Sequence, residues 1–168
     1  MTYCCKKIKD SGEREVFESG AVRDMQEGKG RCDLLPLDVL GKMYHMEFLS
    51  QMDGYVRTGD LAYLRTALEE IRSGEEMSAS AMILELAKHY EEGAKKYNER
   101  NWEKGIPLHS FVDSAVRHYL KLWSQEEDEN HFIACVWNIV GAIWTHQNKP
   151  EMIDLPFFTE QPHLISEV

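Results

Sequence analysis

Residues 78–97 read SASAMILELAKHYEEGAKKY, and this stretch decides the architecture. Ile83, Ala87, Tyr90, Ala94 and Tyr97 recur at the three- and four-residue steps that place side chains on one helix face. Ser78 or Ser80 precedes them as an N-cap, where a hydroxyl oxygen accepts from an amide of the first turn. The same period recurs on both sides. Leu37, Leu40, Met43, Tyr44 and Phe48 predict a helix starting near Pro36, a residue tolerated in a first turn. Thr58-Gly59-Asp60 breaks the chain, and Asp60 is placed to cap a helix carrying Leu61, Leu64, Leu68 and Ile71 that ends at Gly74. After a loop over 101–108, Phe111, Ala115, Tyr119 and Leu122 mark another helix. Phe132, Val136, Ile139 and Ile143 mark a last one, ending near Gln147. No strand-like alternation persists. The expectation is an all-α helical bundle.

Around that bundle the chain divides into three. Residues 1–35 hold Gly12, Gly20, Gly28 and Gly30 without a sustained period, so they read as an irregular arm and binding loop. Residues 36–147 form the helical body, in which 46–77 has the look of an insertion. Residues 148–168 form a tail whose Pro150, Pro156 and Pro162 exclude a long regular helix. Leu155, Phe157 and Phe158 are expected to pack on the body or on a partner subunit.

The 168 residues carry 29 Asp and Glu against 19 Lys and Arg, a formal charge of −10. Such a charge opposes a general grip on nucleic acid, which needs a basic field facing phosphates. No run approaches the ~18 apolar residues of a membrane span, and the opening decapeptide lacks a signal-like apolar stretch, so a cytoplasmic protein is expected. The charge is unevenly spread: net +1 over 1–31 and over 91–123, net −5 over 32–90 and net −7 over 124–168. An anion-binding site belongs in the two near-neutral segments. Cys4, Cys5, Cys32 and Cys135 form no C-x-x-C pair and read as reduced thiols.

Several familiar catalytic motifs are missing. There is no phosphate-binding P-loop, no G-x-G-x-x-G, no H-E-x-x-H and no G-x-S-x-G. No histidine is followed by Asp. What remains is carboxylates on helices. Glu92 falls on a polar stripe with Glu85, His89, Lys96 and Glu99, while Glu91 lies at the edge of the apolar stripe. A carboxylate there loses water unless a cation compensates it, either a metal ion or Lys95 four residues on. Glu126, Glu127, Asp128 and Glu129 open the last helix. They favour its N-terminus, but their mutual repulsion also invites a hard divalent cation with a preference for oxygen ligands. Asp128, His131, Cys135 and Asn138 form a stripe beside the core. Arg117 either pairs with Asp113 or offers its donor fork to a phosphate. The stretch 95–102, with Lys96, Tyr97, Asn101 and Trp102, mixes cations, amides and aromatics suited to a nucleotide. Lys29 and Arg31 add two cations on a glycine-permissive loop.

Three blocks of residues resemble one known family. They are Ser19-Gly20-Ala21-Val22-Arg23-Asp24 with Gly28-Lys29-Gly30-Arg31-Cys32-Asp33-Leu34-Leu35-Pro36; then His89-Tyr90-Glu91-Glu92-Gly93-Ala94-Lys95-Lys96-Tyr97 with Arg100-Asn101-Trp102-Glu103-Lys104-Gly105-Ile106-Pro107 and Asp113 to His118; then Glu126 to His131 with Ala134 and Trp137-Asn138. Together they cover about half the chain and are similar to the phage and bacterial dATP/dGTP diphosphohydrolases. These are MazZ-type enzymes related to the all-α MazG-like nucleotide pyrophosphohydrolases. The resemblance implies a MazG-like bundle, often built across subunits, that hydrolyses dGTP or dATP to the monophosphate with Mg²⁺ or Mn²⁺. In relatives this shapes the nucleotide pool during phage infection. Carried over residue by residue, it implies metal ligands at Glu91, Glu92, Glu126, Asp128 and Glu129. It implies catalytic roles for Glu91, Lys96, Arg117 and His131, and substrate contacts from Lys29, Arg31, Tyr97, Asn101, Trp102 and Asn138. Asn130 departs from the family pattern, which has an acidic residue there, and Asn98 stands where glycine is usual. The competing reading is a non-catalytic helical interaction protein with solvated carboxylates.

Overall fold

A computed structural model describes residues 12–75 and 77–157. Cys4, Cys5, Phe158 and Pro162 lie outside the described residues. Six α-helices account for most of the chain: α1 (Leu37–Tyr44), α2 (Glu47–Thr58), α3 (Leu61–Gly74), α4 (Ala79–Tyr97), α5 (Leu108–Trp123) and α6 (His131–Asn148). The all-α class is as the periodicity predicts. Asp60 caps α3 by accepting from the Ala62 amide, and Ser78, rather than Ser80, caps α4 by accepting from Ala81. Asn130 caps α6 by accepting from Ile133, so the residue that departs from the family pattern starts the helix. None of the described helices is long and apolar enough to cross a membrane.

Two features differ from the sequence reading. The helix expected from Pro36 through Phe48 is broken at His45, which adopts a left-handed conformation (φ 56°). The chain turns there and α2 crosses α1 at Gly41, where a Cβ would meet Ser50 Oγ at 2.6 Å and the Met46 carbonyl at 3.0 Å. The arm also contains a short antiparallel hairpin, β1 (Arg14–Val16) and β2 (Val22–Asp24). Three-residue strands are too short to stand alone. Asn101 supplies what is missing: its side chain accepts from the Val22 amide (2.9 Å) and donates to the Val22 carbonyl (2.7 Å), as a third strand would.

The core runs along α5 and α6, whose facing residues Phe111, Val112, Ala115, Val116, Phe132, Val136 and Ile139 are all buried. Phe48 of α2 stacks on Tyr119 of α5 with ring centroids 4.1 Å apart, tying the 46–77 helices to this pair. From α3, the Glu70 carboxylate reaches back to accept from the Phe48 amide, serving an α2 N-terminus that has no side-chain cap of its own. Of the tail, Phe157 packs edge-on against Tyr55. Helix α4 is the exception: across 19 residues only Met82 is buried, and Ile83 and Leu84 are 60% and 66% exposed.

Candidate active site

A cavity of about 750 Å³ opens between the hairpin, α4, the 101–106 segment, α5 and α6. Its walls divide by chemistry. Tyr90, Trp102 and Trp137 form an aromatic side, with Tyr90 edge-on to Trp102 at 5.6 Å. Arg23, Lys29 and Arg117 bring positive charge. Glu129 and His118 lie on the wall where α5 meets the start of α6.

At that corner His118 Nδ1 and His131 Nδ1 are 3.1 Å apart, and Glu129 Oε1 lies 3.4 Å from the first and 3.7 Å from the second. These spacings match those between donor atoms that share one ion at bonds of about 2.0–2.2 Å. Burial holds the His118 pKa well below its usual value, with the neighbouring His131 adding to the effect. A neutral imidazole is the form that ligates. Asp128 stands behind, its carboxylate 2.7 Å from His131 Nε2 but not aligned to hydrogen-bond with it. Glu126, Asp128 and His131 form a second group of potential donors. Lys121 already occupies it, 2.9 Å from Glu126 and 3.4 Å from Asp128. The acidic corner therefore does not act as one cluster. Glu126 and Asp128 meet the lysine, while Asp128 and Glu129 lie beside the histidine pair.

The other residues singled out from sequence fall in different places. Lys29, Tyr97, Asn101, Trp102 and Asn138 all line the cavity. Two of them face protein partners: Asn101 is spent on the hairpin, and Asn138 accepts from Arg23 Nη2 at 2.5 Å. Lys96 is buried behind the wall, paired with Asp24 at 2.9 Å, and its ammonium lies 5.1 Å from the Tyr97 ring. Arg117 pairs with the buried Asp113 and also donates to Gln26 (3.0 Å) and to the Gly30 carbonyl (3.2 Å). It clips the glycine loop to α5, and Asp113 adds to the clip by accepting from the Cys32 amide at 2.6 Å. Arg31 is exposed, bound to Asp33 through two donors, and is not part of the wall.

Glu91 does line the cavity mouth, but its side chain is 67% exposed and paired with Lys95 at 2.8 Å, which lowers its pKa. The apolar stripe that would have desolvated it, with Leu84 and Ala87, faces outward, so the local ion pair accounts for it. Glu92 is half-buried, 3.1 Å from the same lysine, and away from the cavity. Neither joins a group of metal-capable donors among the described residues.

Sequence reasoning assigned no role to Arg23, His118 or Trp137. Each sat inside a block already singled out, yet nothing local marks it. Arg23 is 8% exposed, with its guanidinium 5.4 Å from the Phe111 ring and 5.5 Å from Trp137.

Comparison with curated proteins and with solved structures finds no match. A family model does match, over residues 68–155, which takes in α4, α5, α6 and the cavity walls they build. By that match the chain belongs to the family described as dATP/dGTP diphosphohydrolase, N-terminal.

Proposed function

We propose that this chain hydrolyses purine deoxynucleoside triphosphates, dGTP or dATP, to the monophosphate in the cavity between α4, α5 and α6, with a divalent ion held by His118, Glu129 and His131. The observation that carries the reading is the meeting, in one cavity, of His118 and Glu129, with His131 buried behind them, a cationic wall and an aromatic wall. A nucleotide polyphosphate uses all three together: the ion and the cations take its phosphates, and the aromatic side takes its base.

Of the two ions that the family resemblance implies, the donor set fits Mn²⁺ rather than Mg²⁺, because two nitrogen ligands join one carboxylate. When bound, a divalent ion supplies charge to phosphate oxygens and lowers the pKa of a coordinated water. The protein's own groups do the rest. Lys29, whose ammonium has no partner among the described residues, is placed to meet phosphate oxygens from the glycine loop. Arg117 fixes that loop and adds positive charge at the wall. Tyr97 and the Trp102–Trp137 side offer flat apolar surface to a purine ring, the contact that stacking uses. Asp128 places negative charge beside His131. Glu91, at the mouth, is free to exchange Lys95 for a ligand at little cost, because an exposed ion pair contributes only about 0–1 kcal/mol.

The outward apolar face of α4, with Ile83 and Leu84, supports assembly with a second copy of the chain. Adjustment of purine nucleotide pools, in phage infection as the resemblance implies, completes the reading.

The test is product release from dGTP and dATP with Mn²⁺. Glu129→Gln is expected to lose at least about 100-fold in kcat, as removal of a charged group at the reacting centre does. A wild-type protein inert towards every nucleoside triphosphate, or a fully active Glu129→Gln variant, overturns the proposal.

A further inference from the structure

Among the described residues, Arg23 is the one buried cation of the cavity without an ion-paired carboxylate. It makes no ion pair among the described residues. Among the described residues its side chain donates one hydrogen bond, from Nη2 to Asn138, a neutral acceptor, while Nη1 is buried and finds no acceptor. Two aromatic faces flank the group. Burial and the nearby Arg117 push its pKa down to about 10, still charged at neutral pH. The chain therefore maintains a full positive charge in an apolar cradle, short of acceptors, at a cost that a structural arginine would have offset with a carboxylate.

The surroundings sharpen the point. Lys29 is held below its usual pKa by burial first, and then by Arg117, Arg23 and Lys96 together. Four cations from four separate parts of the chain thus lie within electrostatic range of one another. Of the carboxylates at hand, Asp24 bridges Arg14 and Lys96, Asp113 takes Arg117 and the Cys32 amide, and Glu15, opposite Arg23 in the hairpin, attracts the guanidinium from beyond ion-pair distance. Like charges gathered this way destabilise the protein until an anion joins them.

We propose that Arg23, oriented by Asn138 and the rings of Phe111 and Trp137, is the principal anchor for the polyphosphate chain of the substrate. The argument rests on the nucleotide reading of the cavity and names the group that holds the phosphates. A neutral base edge would leave the charge uncompensated, whereas a phosphate oxygen supplies both the missing acceptor and the missing negative charge. Asn138 is a positioning residue: its amide donates to the Ala134 carbonyl at 2.8 Å, which fixes the oxygen that Arg23 uses. A lysine cannot reproduce the arrangement, because a point charge lacks the planar fork that bonds Asn138 and a ligand at once.

The probe is inorganic triphosphate with EDTA present, titrated calorimetrically, so that neither hydrolysis nor metal enters the measurement. Arg23→Met is expected to bind triphosphate about 10- to 100-fold more weakly, the range for a lost charge-assisted hydrogen bond. Its melting temperature without ligand should equal or exceed that of wild type, because a buried unpaired charge has been replaced by an apolar chain of similar reach. A structural arginine would give the opposite, a lower melting temperature with unchanged triphosphate affinity, and that result overturns the proposal. So does wild type that binds no triphosphate, or a loss confined to deoxyguanosine binding, which would make Arg23 a base reader. Should Arg23→Met fail to fold, Arg23→Lys and Asn138→Ala decide: both are expected to weaken triphosphate several-fold, and wild-type affinity in both overturns the assignment. Hydrolysis is scored separately. Arg23-dependent triphosphate binding without hydrolysis of dATP or dGTP leaves this inference standing and removes the proposed activity. Hydrolysis by a protein whose Arg23→Met variant binds triphosphate normally does the reverse.

Discussion

His118 and His131 point their Nδ1 atoms at each other across 3.1 Å, although they lie on different helices, α5 and α6. Two ring nitrogens at that distance either share one proton or share one ion, and the Glu129 oxygen on the same side of both favours the ion. Imidazole donors suit Mn²⁺, Co²⁺ or Zn²⁺ better than Mg²⁺, which prefers oxygen and keeps its waters. Thermal unfolding with each metal alone checks this. At a concentration one hundred times its dissociation constant, a bound ion adds about 2.7 kcal/mol to stability. Mn²⁺, Co²⁺ or Zn²⁺ should stabilise the protein far more than Mg²⁺ at equal concentration. Both His118→Ala and His131→Ala should abolish the shift, while Glu126→Gln, beside Lys121, keeps it. Equal stabilisation by Mg²⁺, retained in the histidine variants, would rule out this ligand set.

Asp113 and Arg31 make a contrasting pair. Asp113 is 1% exposed and holds both Arg117 and the Cys32 amide, so Asp113→Ala leaves a partly buried guanidinium and an amide without partners. Breaking a buried pair from one side costs about 3–5 kcal/mol. Arg31 is half exposed, but its partner Asp33 has a side chain only 4% exposed. Arg31→Ala should therefore cost more than the about 0–1 kcal/mol of a surface pair and less than Asp113→Ala, which strips two donors of their acceptor. Urea denaturation should place Asp113→Ala as the less stable of the two variants. Similar midpoints would mean that the loop is not clipped to α5.

Why the sequence revealed some of this and not the rest follows from the range of the interactions. The caps Asp60 and Ser78 act on amides two or three residues away, so their chemistry is visible in the local string. The hairpin depends on Asn101, 79 residues from Val22, and no period in the arm announces it. Glu91 is exposed where the stripe predicts desolvation, because Leu84 and Ala87 of that stripe are themselves exposed; helical spacing reports that residues share a face, not that the face is covered. The aromatic and amide residues around 97–102 were legible as site material from composition. That Asn101 and Asn138 spend themselves on protein groups is a tertiary fact. So is the histidine pair: 13 residues apart, on two helices, each reads alone as an ordinary core histidine.

Gly141 governs how closely α5 and α6 approach. A Cβ there would collide with the Phe111 ring, and Phe111 is fully buried and flanks Arg23. Gly141→Ala would gain about 1 kcal/mol of helix propensity in an exposed helix. Here the overpacked ring should outweigh that gain, with a net loss of about 1–3 kcal/mol. Chemical denaturation measures it, and triphosphate affinity should fall in parallel as Phe111 shifts under the guanidinium. A stabilised Gly141→Ala protein would show that the ring has room to move.

His89 gives the stability a pH dependence of definite sign. Burial, aided by Lys96 and only partly opposed by Glu92, lowers its pKa to about 4 from the ordinary 6.5, and its ring rests against Trp137 at 6.0 Å. Between those two values the unfolded chain binds a proton that the folded chain refuses. Stability therefore rises with pH through this window and is lost as pH falls from about 6.5 towards 4, up to about 3 kcal/mol for the full shift. His118 and His146 are shifted in the same direction, so the wild-type slope contains all three. The difference between wild type and His89→Gln isolates the first. Urea unfolding at pH 7.5 and pH 5.0 should show the variant losing less stability on acidification than wild type, by about 1–2 kcal/mol once the partial window is allowed for. An identical loss in both proteins would mean that the imidazole reaches water and titrates at its ordinary pKa, and that the α4–α6 seam beside the cavity is open.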